Sequence, residues 1–129
     1  MTRVVLVEDD AAVRSVVEIL LSTEPDLELV GVATTAERGI ELVRELAPDL
    51  VLLDNQLEGL LTGVEAAPQI KSAAPSVVVL LCTALDLASA AADEPAIDGY
   101  LRKDALVDLV DVVRSLLDDA GGAAAEGRA

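Results

Sequence analysis

Leu50-Val51-Leu52-Leu53 is an apolar run that stops on a carboxylate, Asp54, and Val4-Val5-Leu6-Val7 stops in the same way on Glu8-Asp9-Asp10. Neither run alternates apolar with polar residues. That is the pattern of a strand covered on both faces, hence of a parallel sheet between helix layers. Two later runs also end in polar groups: Val77 to Cys82 delivers Thr83, and Gly99-Tyr100-Leu101-Arg102 delivers Lys103. In an open parallel sheet ligands bind beyond the carboxyl ends of the strands, so acids, a hydroxyl and an amine are expected to converge there.

Between these runs the period becomes helical. Val13, Val16, Val17, Leu20 and Leu21 recur at helix spacing before Pro25. Leu27 to Ala33 alternates, with Leu27, Leu29 and Gly31 on one face, which suits a strand nearer the sheet edge. Thr34 and Glu37 fit a capping box, with Thr35 the alternative cap; Ala36, Ile40, Val43 and Leu46 line the helix that Pro48 ends. Pro68 falls inside the helix expected around Glu65 to Lys71 and predicts a late start or a kink. Leu85 to Ala92 reads as a short, alanine-rich helix. The last helix has a stripe of Leu106, Leu109, Val110, Val113, Leu116 and Leu117, with Asp104 to cap its start, Gly121 to end it, and Val107 and Val112 off the stripe. Five strand–helix pairs predict right-handed crossovers and a doubly wound α/β domain over residues 1–120, followed by a flexible Gly/Ala-rich tail, 121–129.

With 129 residues, 53% of them hydrophobic, the chain has room for one domain with a real core. It has no Trp or Phe, so Tyr100 is its one aromatic residue. The 24 acids against 9 bases give a net charge of −15, which repels nucleic acid and anionic membrane; neither is an expected partner. Cys82 is alone, the N-terminus lacks signal-peptide character and no apolar run approaches the roughly 18 residues of a membrane span, so a cytoplasmic location is expected.

Clustered carboxylates repel one another unless a cation or a proton intervenes. Glu8, Asp9 and Asp54 offer hard oxygen ligands, which suit Mg²⁺ better than Zn²⁺ in a chain with no histidine and one cysteine. Lys103 can neutralise an oxyanion and Thr83 can donate to it, so Asp54 reads as a nucleophile that would form an acyl phosphate. Plainer readings stand beside these. Asp54 alone fits a solvated or capping acid, Glu8 and Asp9 fit helix caps alongside Asp10, Thr83 a hydroxyl satisfied within the sheet, Lys103 a loop charge, Tyr100 a core ring and Cys82 a small buried hydrophobe.

Taken together and in order, Val5-Leu6-Val7-Glu8-Asp9-Asp10, Pro48 to Asp54, Thr83-Ala84 and Gly99-Tyr100-Leu101-Arg102-Lys103-Asp104 resemble the receiver domains of two-component response regulators, from Arg3 to about Asp119. The resemblance implies the flavodoxin-like receiver fold, a five-stranded parallel sheet of order 2-1-3-4-5 with helices on both faces. It also implies that Asp54 is the phosphoacceptor, that Glu8 and Asp9 support Mg²⁺ with the backbone carbonyl of Gln56 as a further ligand, and that Thr83 and Lys103 contact the phosphoryl oxygens. Tyr100 takes the place of the aromatic whose packing is coupled to the threonine in the family's switch. Lys103 followed by Asp104, where many receivers have proline, looks most like the subgroup usually joined to a helix-turn-helix output domain.

The expected function is that of a stand-alone receiver, phosphorylated by a sensor histidine kinase or histidine phosphotransfer protein. It would engage a downstream partner, or a second copy, through the fourth helix, fifth strand and fifth helix, where Val107 or Val112 would be exposed. Beyond self-catalysed phosphorylation and dephosphorylation no enzymatic activity is expected. Two other classes are a phosphorylation-independent pseudo-receiver and a haloacid-dehalogenase-like phosphatase. The latter needs an acid two residues after its nucleophile, where this chain has Gln56. Three departures from the receiver pattern are a slightly longer loop from Gly59 to Gly63 with Glu58 in place of a common proline, Pro68 itself, and a short segment from Leu85 to Ile97 with Pro95 near its end.

Overall fold

The structure is a computed structural model that describes residues 1–121 in full and the helical backbone of 122–128. Strands β1 (Thr2–Val7), β2 (Leu27–Ala33), β3 (Leu50–Leu53), β4 (Val78–Thr83) and β5 (Gly99–Arg102) form one parallel sheet in the order β2-β1-β3-β4-β5. The helices are α1 (Ala11–Ser22), α2 (Ala36–Leu46), α3 (Gly63–Ala73), α4 (Ala88–Asp93) and α5 (Leu109–Arg128), with a 3₁₀ turn at Lys103–Asp108 leading into α5.

The inner strands are buried on both faces, as their unbroken apolar runs require. Val4, Leu6, Leu50, Leu52, Val78 and Leu80 pack with Val17 and Leu21 of α1 and with Leu109 and Val113 of α5. Their neighbours Val5, Val7, Val51, Leu53, Val79 and Leu81 pack with Ala36, Ile40 and Val43 of α2, with Ala66 and Ile70 of α3 and with Ala91 of α4. Each fully buried Val or Leu contributes roughly 1.5–3 kcal/mol, so this three-strand centre is what holds the strand ends in place.

Several local expectations change. β2 carries a bulge: Val4 pairs with Leu29, but Val5 pairs with Gly31. The extra residue, Val30, turns Gly31 toward Leu42 and Leu46 of α2, away from the face of Leu27 and Leu29. Thr35, and not Thr34, caps α2, its hydroxyl accepting from the Arg38 amide. The capping box is found instead at α3, between Thr62 and Glu65. Pro68 neither delays nor ends α3. It lies on the exposed side, where water faces the interrupted backbone hydrogen bond.

Asp104 does not cap α5; it lies in the 3₁₀ turn, whose start has no side-chain cap. Helix α5 also continues through Gly121, where the expected tail begins, and the rest of that tail, 122–129, lies outside the residues described in full. On α1, Val16 is turned outward, whereas Val112 packs against the core, leaving Val107 as the exposed member of the predicted pair at 84% accessibility.

Candidate functional site

Strand register sets the site. Val7 pairs with Leu53, and the Asp54 amide donates to the Val7 carbonyl at 3.0 Å, so Glu8 and Asp54 leave adjacent strands at the same level. Both are buried although charged. Ligand oxygens of Glu8, Asp9 and Asp54 lie within 4.8 Å of one another. From the far side of β4, Lys103 follows the last residue of β5 and reaches back: its Nζ is 2.8 Å from Glu8 Oε1 and 3.1 Å from Asp54 Oδ2. Asp54 Oδ1 accepts from the Asn55 amide, and Glu8 Oε2 accepts from the Asp10 amide.

Electrostatics follow from burial among like charges. Burial pushes the Glu8 carboxyl up to about 7; the Asp54 charge adds to this, while Lys103 and the Asp10 amide pull against it. Burial draws the Lys103 ammonium down, but its bonds and charge interactions with Glu8 and Asp54 outweigh that, and the net direction is up. Beneath them Cys82 has its thiol pushed up to about 12 by burial, so it is a protonated packing group.

Thr83 is fully buried at the end of β4, and its hydroxyl accepts from the Leu85 amide at 3.3 Å. The Tyr100 hydroxyl donates to the carbonyl of that same Leu85 at 2.8 Å and accepts from the Leu87 amide at 3.0 Å. The Leu85 backbone therefore joins the two hydroxyl side chains, with the half-buried ring on the β4–α4 connection. Gln56 is exposed in the bend two residues after Asp54.

The donor set fits a hard divalent cation: clustered carboxylate oxygens, with no histidine in the chain and the one cysteine held protonated. Two supporting residues were not singled out from the sequence. Arg14 donates to the backbone carbonyls of Glu8 and Asp9, fixing the turn that presents the acids. Asn55 ties the other side, its Oδ1 accepting from the Val64 amide and its carbonyl from Gly63. Arg14 carries no periodic signal, since a polar position on an amphipathic helix looks the same whether it meets solvent or a backbone carbonyl.

Comparison with known proteins agrees with this arrangement. A family model described as the response regulator receiver domain matches residues 4–114. The response regulator protein VraR of Staphylococcus aureus is 36% identical over 115 residues, covering 87% of this chain and 54% of VraR. The nitrate/nitrite response regulator protein NarL of Escherichia coli is 34% identical over 121 residues, covering 92% of this chain and 55% of NarL. The chain thus spans about half the length of the curated relatives it matches. Among solved structures, a two-component response regulator of the LuxR family from an Aurantimonas species superposes with a TM-score of 0.83 at 27% identity, covering 99% of this chain and 98% of that one. The response regulator domain of Thermotoga maritima CheB shares the fold, with a TM-score of 0.82 at 22% identity over 92% of this chain and 97% of that one. With sheet order, strand-end acids and family match in agreement, the chain belongs to the response regulator receiver domains.

Proposed function

We propose that Asp54 is the phosphoacceptor of this receiver and takes its phosphoryl group from a histidine kinase or a histidine phosphotransfer protein. A carboxylate oxygen of Asp54 would attack phosphorus as the donor's P–N bond breaks, with the electron pair leaving on the imidazole nitrogen. The observation that carries the reading is the shared ammonium: one Lys103 Nζ stands within 3.1 Å of both Glu8 and Asp54. It is the cation needed beside a phosphoryl group arriving among acids.

Glu8, Asp9, Asp54 and the Gln56 carbonyl would hold Mg²⁺, which when bound supplies charge neutralisation for the phosphoryl oxygens. Thr83 would turn its hydroxyl from the Leu85 amide to a phosphoryl oxygen. Because Tyr100 is bonded to the same Leu85, that move loosens the anchor of the ring, and the population of ring packings shifts. The surface altered is that of α4, β5 and α5, where Ala88, Ala91, Ala92 and Ile97 line a groove beside Tyr100. A downstream protein or a second copy is its occupant; nucleic acid is disfavoured by the charge of −15.

The test is incubation with Mg²⁺ and acetyl phosphate, followed by intact mass. A single adduct that disappears in Asp54→Asn supports the reading, no adduct supports a pseudo-receiver, and steady phosphate release from many esters supports a phosphatase. The stand-alone and cytoplasmic parts of the proposal are tested by fractionating the source cells and immunoblotting. A native polypeptide close to 13.3 kDa in the cytosol agrees with both, and a band near twice that mass overturns the first.

A further inference from the structure

The connection from β3 to α3 carries Gln56 and then runs out to Leu60, whose side chain is 95% exposed. Glu58, Gly59 and Thr62 are exposed as well, so packing does little to hold this tip. Its tethers come from the start of α2. Thr35 and Glu58 form a lone parallel bridge. Glu37, in the first turn of α2, accepts from two successive amides of the loop, Leu60 at 3.3 Å and Leu61 at 3.2 Å, through a single oxygen, Oε1. Gly59 has φ of +97°, and a Cβ there would stand 2.8 Å from Glu37 Oε2, so the backbone closes around the carboxylate as only glycine readily permits. Two successive N–H groups turned toward one anion make a nest, and here the anion is a side chain of the same protein.

We infer that Glu37 is a positioning residue for the phosphorylation site: its carboxylate latches the β3–α3 loop to α2 and thereby fixes the backbone from Asn55 to Gly63, including the Gln56 carbonyl. The inference rests on the functional reading above for the role of Gln56, but the latch itself does not. The loop is anchored at its other end by the Asn55 bonds to Gly63 and Val64. Between those bonds and Glu37 the backbone is held at both ends. Release at Glu37 frees the stretch from Gln56 to Leu61, which follows the Asn55 anchor.

The test compares the unaltered protein with Glu37→Gln and Glu37→Ala by amide hydrogen exchange without metal, by Mg²⁺ titration, and by denaturant midpoint. In Glu37→Ala the Leu60 and Leu61 amides should exchange about tenfold faster or more, as expected when hydrogen bonds to a charged acceptor are lost. Mg²⁺ affinity should fall up to about tenfold, the lower end of what outer-shell partners contribute. Glu37→Gln retains an oxygen acceptor but not the charge and should fall between the unaltered protein and Glu37→Ala in both readouts, a graded response that follows the acceptor at this position. Unchanged loop exchange in Glu37→Ala overturns the latch. Faster loop exchange with unchanged Mg²⁺ affinity overturns its bearing on the site. If the unaltered protein takes no phosphoryl group while both effects of Glu37→Ala are seen, the latch stands and the phosphoacceptor reading falls.

Discussion

The Nζ of Lys103 lies 2.8 Å from Glu8 Oε1, joining the end of β5 to the end of β1 across the two strands between them. Asp54 shares the same ammonium, so the site is a buried cluster in which one cation serves two acids. Such a cluster is costly to break from one side, because the partner left behind is a charge without compensation.

Lys103→Ala should therefore lower the stability of the metal-free protein by about 2–3 kcal/mol, with much of the loss recovered on adding Mg²⁺. Its Mg²⁺ affinity should be held or raised, since a competing ammonium is gone, while phosphorylation-dependent change is lost. Asp9→Ala should weaken Mg²⁺ binding. Urea denaturation with and without Mg²⁺ separates the two variants, and an equal fall in affinity for both would contradict the roles assigned.

Gly63→Ala should be destabilising despite alanine's higher helix propensity. An added Cβ would stand 2.1 Å from the Asp54 carbonyl oxygen, a backbone atom that cannot step aside like a side-chain tip. The expected loss is about 2–3 kcal/mol, against roughly 1 kcal/mol of favourable propensity, together with slower acquisition of phosphate at Asp54. A denaturation midpoint at or above that of the unaltered protein would show that the loop and α3 can separate without cost.

Tyr100→Phe removes both hydroxyl bonds to the β4–α4 connection while keeping the ring. Because the residue is half-exposed, the stability change should be about 1 kcal/mol or less, with faster exchange of the Leu87 amide. Adduct yield with acetyl phosphate should be unaltered. A collapse in yield comparable to that of Asp54→Asn would move Tyr100 from the response to the chemistry.

Arg114 on α5 holds Asp26 through two bonds, at 2.8 and 3.0 Å, and pulls its carboxyl from 3.8 down to about 2. A depressed folded-state pKa means stability that is present above the ordinary value and lost as pH falls from there through about 2. The penalty for Arg114→Ala should be measurable at pH 6 and shrink toward zero near pH 2. Both groups are exposed, so it should also shrink in high salt. A penalty independent of pH would assign the effect to the packing of the arginine stem.

The centre of this fold was legible because strands covered on both faces have no freedom in composition: Val4 to Val7, Leu50 to Leu53 and the run into Thr83 read as strands wherever they fall. Their terminal residues were legible for the same reason, since the register of a buried parallel sheet brings successive strand ends to one level. What stayed hidden depends on contacts distant in sequence. The β2 bulge at Val30 is set by pairing with β1, and the capping-box pattern at Thr34 and Glu37 misled because Glu37 turns to Leu60 and Leu61 instead of back along its own helix. Asp104 failed as a cap because the chain tightens into a 3₁₀ turn from Lys103 itself, so Asp104 lies inside that turn and not at the start of α5.

Helix α4 has six residues, buries only Ala91 and has no side-chain cap at its start. With so little apolar area committed to the sheet, few contacts resist its unwinding or tilting, and its amides are expected to exchange among the fastest of the helical ones. A differential of about 1.4 kcal/mol at the neighbouring Thr83 would suffice to change the ratio of two α4 poses tenfold. On the function proposed above, this short helix would be the responsive element, and stiffening it with longer apolar side chains should blunt the reply to phosphate while raising the melting temperature.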